Sequence, residues 1–162
     1  KRGIALPDSV AQRFISDMEQ ADTAQELLLA EARWAKQLYA TLPSGYGFPF
    51  TREEGARRKT SRADICNGLL DHGNYIAYGY AAVTLCGLGI SFAMPVLHGK
   101  TRRGALVFDL ADVIKDAYVM PLAFECAQDG DSQKDFRERL IELCQEEEVL
   151  DFLFDFMKEV CN

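Results

Sequence analysis

From Asn74 to Leu97 the chain carries no charged residue, a run long enough in principle to cross a bilayer. The same run holds Tyr75, Tyr78, Tyr80, Gly79, Gly87, Gly89 and Pro95. Polar-tipped rings and helix-weakening residues at this density suit a central helix packed inside a protein better than a membrane span. The expectation is therefore a helical bundle built around one long buried helix, with no membrane association. At 162 residues, with 48% hydrophobic and 27% charged, the chain has the size and composition of one folded domain with a real core.

Helical periodicity continues on both sides of that run. Val10, Phe14, Ile15 and Met18 recur at three- and four-residue steps after Pro7 and Asp8. Thr23 and Glu26 have capping-box spacing and open a second helix, which should stop before Pro43, with Gly45 and Gly47 beginning a loop. Thr51 to Arg62 reads as a polar, basic loop. The central helix should start between Ser61 and Ala63 and end at Gly87 or Gly89. A further helix begins near Ala105 and must kink or break at Pro121. Ser132 and Asp135 cap the next, and an acidic last helix ends at Val160. Only ISFAMPVL, after Gly89, could pass for a strand, so the fold class is all-α.

Lys1 in place of an initiator Met points to a processed or truncated piece, and residues 1–7 lack the apolar core of a signal peptide. Cys66, Cys86, Cys126, Cys144 and Cys161 are odd in number, form no C-x-x-C pair and sit among apolar or helical residues. Reduced, buried thiols in a cytosolic protein are expected.

The formal charge of −7 argues at first against a nucleic-acid partner. Its distribution weakens that objection. Glu125 to Asn162 holds 12 acids and 4 bases, a net of −8, which leaves +1 for everything before it. The bases before it are clustered: Arg52, Arg57, Arg58, Lys59 and Arg62 in one loop, and Lys100, Arg102 and Arg103 directly after His98. Solvated loop charge accounts for the first cluster; the second adjoins candidate chemistry.

That chemistry lies in HGKTRRGALVFDLADVIKDA. Asp109, Asp112 and Asp116, at i, i+3 and i+7, share one face of a regular helix. A solvated acidic face would give the same spacing. His98 precedes them by a short basic loop, and imidazole with carboxylates suits Mg²⁺ or Mn²⁺ bound for phosphoryl chemistry. A hydrogen-bonded core or cap histidine is the alternative, and the one assigned to His72. Glu31 follows Leu27, Leu28, Leu29 and Ala30, where a carboxylate needs a salt bridge (Arg33 or Lys36 are in reach) or a metal. Gly99-Lys100-Thr101 imitates the end of a P-loop, but Met94 stands where that motif requires Gly. H-E-x-x-H and the E-x-x-H of di-iron bundles are absent from the sequence.

Four ordered segments, AEARWAKQLYATL, N-x-x-L with HGNYIAYG, the LHGK junction and LVFDLADVIKD, resemble the CRISPR-associated spacer-acquisition integrases, the Cas-one family, and most nearly its subtype I-F branch. The resemblance covers roughly residues 20–128. It implies a metal site from Glu31, His98 and Asp112 holding Mg²⁺ or Mn²⁺, with Asp109 as a further catalytic acid that either orients the site or binds a second ion. It places the family's core tyrosine on Tyr78 and its DNA contacts on Tyr78, Lys36, Lys100, Arg102, Arg103 and Lys115. The implied activity is that of a metal-dependent endonuclease and integrase of the prokaryotic cytoplasm. Acting on double-stranded and branched DNA, it would insert spacers into a CRISPR array by 3′-hydroxyl attack on a repeat-end phosphodiester.

On this reading residues 1–162 are one C-terminal α-helical catalytic domain, a fragment without the N-terminal β-rich domain through which the family forms homodimers. The expected partner is the small ferredoxin-like acquisition subunit, fused in this branch to a helicase-nuclease. The acidic tail is the natural place for such a protein contact. The competing reading is a non-catalytic helical interaction module with an acidic docking face.

Overall fold

A computed structural model describes residues 6–55, 60–94, 96–97 and 104–161. They form two units, Lys1–Arg52 and Glu53–Asn162. Every regular element is helical and no strand occurs among the described residues; 90–94 and 96–97 form turns and bends rather than an extended segment. No helix there is long and apolar enough to cross a membrane.

The smaller unit is a helical hairpin of α1 (Asp8–Glu19) and α2 (Ala24–Tyr46). The expected capping box opens α2: the Glu26 N–H donates to Thr23 Oγ1 at 3.2 Å, and the Thr23 N–H donates back to the Glu26 carboxylate at 3.0 Å. Phe14 stacks on Trp34 with centroids 4.7 Å apart, and Asp17 pairs with Arg33 at 3.3 Å, which closes the hairpin. The apolar stripe of α1 is only partly used, since Ile15 and Met18 remain exposed.

Pro43 does not end α2. Its missing N–H removes one backbone bond, but it falls in the last turn. Ser44 Oγ donates to the Thr41 carbonyl at 2.7 Å, and burial of Leu42 and Tyr46 carries the helix through Gly45. Gly47, at φ +70°, ends it by donating its N–H to the Pro43 carbonyl.

The larger unit is organised by α3 (Arg62–Gly87), which starts within the expected bounds and is capped by Ser61 with Asp64. It packs against α4 (Ala105–Ile114), a π turn (Lys115–Val119), α5 (Met120–Asp129), α6 (Gln133–Glu146) and α7 (Val149–Cys161). Gly73, Ala77 and Ala81, four residues apart, form its innermost stripe. A Cβ on Gly73 would run into Val119 and come within 3.0 Å of Phe136. One stripe of this helix stays open, where Tyr75 is 74% and Val83 55% exposed.

Pro121 produces a widened turn instead of a break. The Met120 N–H donates to the Lys115 carbonyl, five residues back, so the turn before the proline opens and relieves its ring of the carbonyl it would otherwise strike. The helix then resumes as α5 and ends at Gly130, φ +80°. Arg139 of α6 ties this end down by pairing with Glu125 and with Asp131, the latter at 2.5 Å. Beside them, burial and the Asp131 hydrogen bond push the Cys126 thiol up to about 12. All five cysteines are free; Cys66, Cys126 and Cys144 are buried as expected, whereas Cys86 and Cys161 are exposed. Both exposed thiols lie at helix C-terminal ends, where little packs over them.

His72 departs from the hydrogen-bonded core histidine expected of it. Its Nε2 is buried with no hydrogen-bond partner among the described residues, 6.4 Å centroid to centroid from Phe136. Burial, and then the charge of Arg137, lower its pKa below the usual 6.5. The unfolded chain therefore binds a proton there more readily than the folded one, so stability is present above pH 6.5 and declines as pH falls below it. His72→Leu should flatten that part of the stability profile, measured as urea midpoints from pH 7.5 to 5. Gly73→Ala should lower stability by about 1–3 kcal/mol through overpacking against Val119, read from the same unfolding curves.

Candidate functional site

The candidate residues of the larger unit gather where α3 meets α4. Tyr78 of α3 lies edge-on to Phe108 of α4, centroids 4.8 Å apart and planes at 83°, and also packs edge-on against Tyr75. Lys115 opens the π turn and stands with its Nζ 5.4 Å from the centre of the Tyr78 ring, within cation–π range. The same ammonium is ion-paired with Asp112, one helical turn earlier. Burial disfavours its charge, but the charge and hydrogen bond of Asp112, with Tyr78 and Asp116 behind them, hold its pKa above that of an ordinary lysine. Lys115 is therefore a cation at any physiological pH.

Asp109, a turn before Asp112, serves a different end. Its Oδ2 accepts the N–H groups of Val96 at 3.1 Å and Leu97 at 3.2 Å. A carboxylate receiving two successive backbone donors makes a short, charge-assisted clamp. It holds the two residues immediately before His98. The three aspartates thus do not act as one solvated face: Asp109 anchors a loop, while Asp112 and Asp116 bear on Lys115.

His98, Lys100, Arg102 and Arg103 lie outside the described residues, as do Arg57, Arg58 and Lys59. Glu31 and Lys36 belong to α2, in the smaller unit. Glu31 is half-buried and follows Ala30, which is 1% exposed; Arg33, one of the two cations considered for it, pairs with Asp17. Lys36 lines a cavity of ≈ 450 Å³ between α1 and α2. Among the described residues no three His, Cys, Asp or Glu side chains come together as a metal-binding group.

Sequence reasoning missed Phe108 as the support of Tyr78. It also had no view of the Asp109 clamp, whose partners are backbone groups that leave no mark in a sequence pattern. The spacing FDLADVIK does place Phe108, Asp112 and Lys115 within two turns, and that was the available signal.

Residues 8–150 match the profile of the family described as CRISPR associated protein Cas1. The chain is 45% identical over 147 residues to the CRISPR-associated endonuclease Cas1 of Pseudomonas aeruginosa, covering 90% of this chain and 44% of that protein. It is 39% identical over 155 residues to the protein of the same name from Pectobacterium atrosepticum, covering 95% and 46%. The chain thus spans less than half the length of these curated relatives. Among solved structures, TtCas1 in complex with DNA superposes with a TM-score of 0.73 at 24% identity, over 93% of this chain and 60% of that one. That superposition establishes a shared helical fold.

The clamp makes a local prediction. Asp109→Ala should speed amide hydrogen exchange at Val96 and Leu97 by about tenfold or more, the equivalent of losing a charged hydrogen bond, with no change in the unfolding midpoint beyond the loop. Unchanged exchange at both amides would remove Asp109 from this role.

Proposed function

Since the chain belongs to the CRISPR-associated Cas1 family, we propose that it is the helical catalytic portion of a metal-dependent DNA endonuclease and integrase that inserts spacers into a CRISPR array. The observation that carries the reading is the Tyr78–Lys115–Asp112 cluster, together with the Asp109 clamp on the segment entering His98. A fixed cation on an aromatic ring, beside a carboxylate and next to a held loop, is an arrangement suited to gripping a phosphodiester.

The metal ligands on this reading are Glu31, His98 and Asp112. Two carboxylates and an imidazole suit Mg²⁺ or Mn²⁺ in donor chemistry. Asp112 is already engaged by a cation, Lys115, so its environment accepts positive charge. A bound divalent ion would offset the charge developing on the phosphoryl group under attack. The protein's own groups do the rest. His98 would hold the ion through a neutral imidazole and would be lost as a ligand when protonated. Lys115 and the cations after His98 bear on the non-bridging oxygens, and Tyr78 steers Lys115 by holding its ammonium against the ring. Asp109 positions and does not bind. In the joining step a 3′-hydroxyl forms a bond to the repeat-end phosphorus while the bond from that phosphorus to the displaced 3′-oxygen breaks, the hydroxyl proton leaving to solvent or a nearby base.

The same reading covers double-stranded and branched DNA as substrate, with Lys36, Lys100, Arg102 and Arg103 as further contacts. It assigns dimerisation to a β-rich domain outside this stretch, and the acidic tail to the ferredoxin-like partner subunit in the prokaryotic cytoplasm. A non-catalytic docking module is the second reading. It draws on one observation: α7 exposes Phe152 and Val160 beside Asp151, Asp155 and Glu159.

Full-length protein carrying His98→Ala or Asp112→Asn should retain its helical circular dichroism and lose Mn²⁺-dependent cleavage and strand joining on branched DNA. Mn²⁺ binding followed by electron paramagnetic resonance should weaken in parallel. Wild-type activity in both variants would eliminate the proposed ligands, whereas wild-type protein inactive on branched DNA with Mn²⁺ would leave the docking reading.

A further inference from the structure

The cavity between α1 and α2 lies within the smaller unit, and of its lining only Lys36 has been given a part in DNA contact above. Its volume, ≈ 450 Å³, is in the range of small-ligand sites. One wall is aromatic, the stacked Phe14–Trp34 pair, with centroids 4.7 Å apart and an interplanar angle of 23°. Around it stand Arg13, Arg33 and Lys36, and Asp17 is the one acid in the lining. Asp17 is already ion-paired with Arg33, at 3.3 Å. The lining therefore holds three cations against one carboxylate, in a chain whose net charge is −7.

Flat aromatic surface beside surplus positive charge selects a ligand that is itself flat and anionic. An aliphatic ligand would make no use of the guanidinium groups, and a bare anion would make none of the rings. A nucleobase joined to a phosphate satisfies both, by stacking on or against the aromatic wall and by pairing with arginine. We propose that this cavity binds a nucleotide unit, the unpaired base and adjoining phosphate of a single DNA strand. The ligand class follows from the lining alone. That the nucleotide belongs to a DNA strand rests on the function proposed above, and the test separates the two.

Trp34 is the only tryptophan of the chain, so its emission reports on this cavity alone. The full chain should be titrated with a six-residue oligothymidylate, with thymidine 5′-monophosphate and with inorganic phosphate. Saturable quenching by the oligonucleotide at lower concentration than by the mononucleotide is expected, with no quenching by phosphate. Equal potency of the two nucleotide ligands would support a free nucleotide as occupant, within the same ligand class. Arg13 is exposed, so Arg13→Ala leaves the hairpin packing in place and should weaken nucleotide quenching about tenfold, the loss of one charge-assisted contact. Phe14→Leu should weaken both nucleotide ligands and leave any phosphate response unaltered.

Absence of quenching by either nucleotide ligand, or quenching by phosphate alone at equal concentration, overturns the proposal. Asp112→Asn should leave the quenching intact. Loss of cleavage in that variant with retained quenching, or the converse in Arg13→Ala, shows the two sites standing or falling independently.

Discussion

Gly73, Ala77 and Ala81 give α3 a face with almost no side-chain bulk, and the larger unit depends on what that face lets in. Val119 and Phe136 come so close to Gly73 that a single methyl group has no room. Such an approach buries backbone as well as side chains, and it sets how near the π turn and α6 stand to α3. At the far end Gly87 repeats the device against Phe154, whose ring carbon would lie 2.8 Å from an added Cβ. The charge-free run is therefore explained less by hydrophobicity than by closeness of packing. Tyr75 and Val83, exposed members of the run on α3, lie on the side that this packing does not reach.

The site inherits its geometry from the same arrangement. Pro121 forces the turn before it to widen, and the widened turn begins at Lys115. Its ammonium thereby sits between Asp112 of the same helix and the ring of Tyr78 on α3. A lysine so placed gives up solvation and recovers charge and ring contacts, which holds its pKa up. The proline is thus coupled to the proposed chemistry through the turn that it widens. Asp109 shows a comparable division of labour: the family resemblance left open whether it orients or ligates, and its two backbone hydrogen bonds favour orienting.

Where local signals govern, sequence reading and structure agree. The capping boxes expected at Thr23 and Ser132 are formed, and Ser61 with Asp64 adds a third, because each depends on residues three apart and on nothing else. Agreement fails where packing outweighs a local rule. Pro43 does not stop α2, since burial of Leu42 and Tyr46 outweighs one missing hydrogen bond in a last turn. His72 Nε2 has no partner among the described residues, because it is buried near the Phe136 ring of α6, which offers it no acceptor or donor. Cys86 and Cys161 look buried by type and are exposed by position.

The sequence alone determined that this chain is helical, where its helices begin, and which family it resembles, because caps, periodicity and motif residues are local or ordered along the chain. It also separated the acidic tail from a nearly neutral remainder, which a net charge of −7 conceals. Only tertiary structure decided that Lys115 meets Tyr78 and Asp112 together, that Asp109 holds the residues before His98, and that Phe14, Trp34 and three cations line one cavity. Those are meetings between separate helices, or between a helix and a distant backbone. The spacing of residues along a chain does not encode them until the helices have packed.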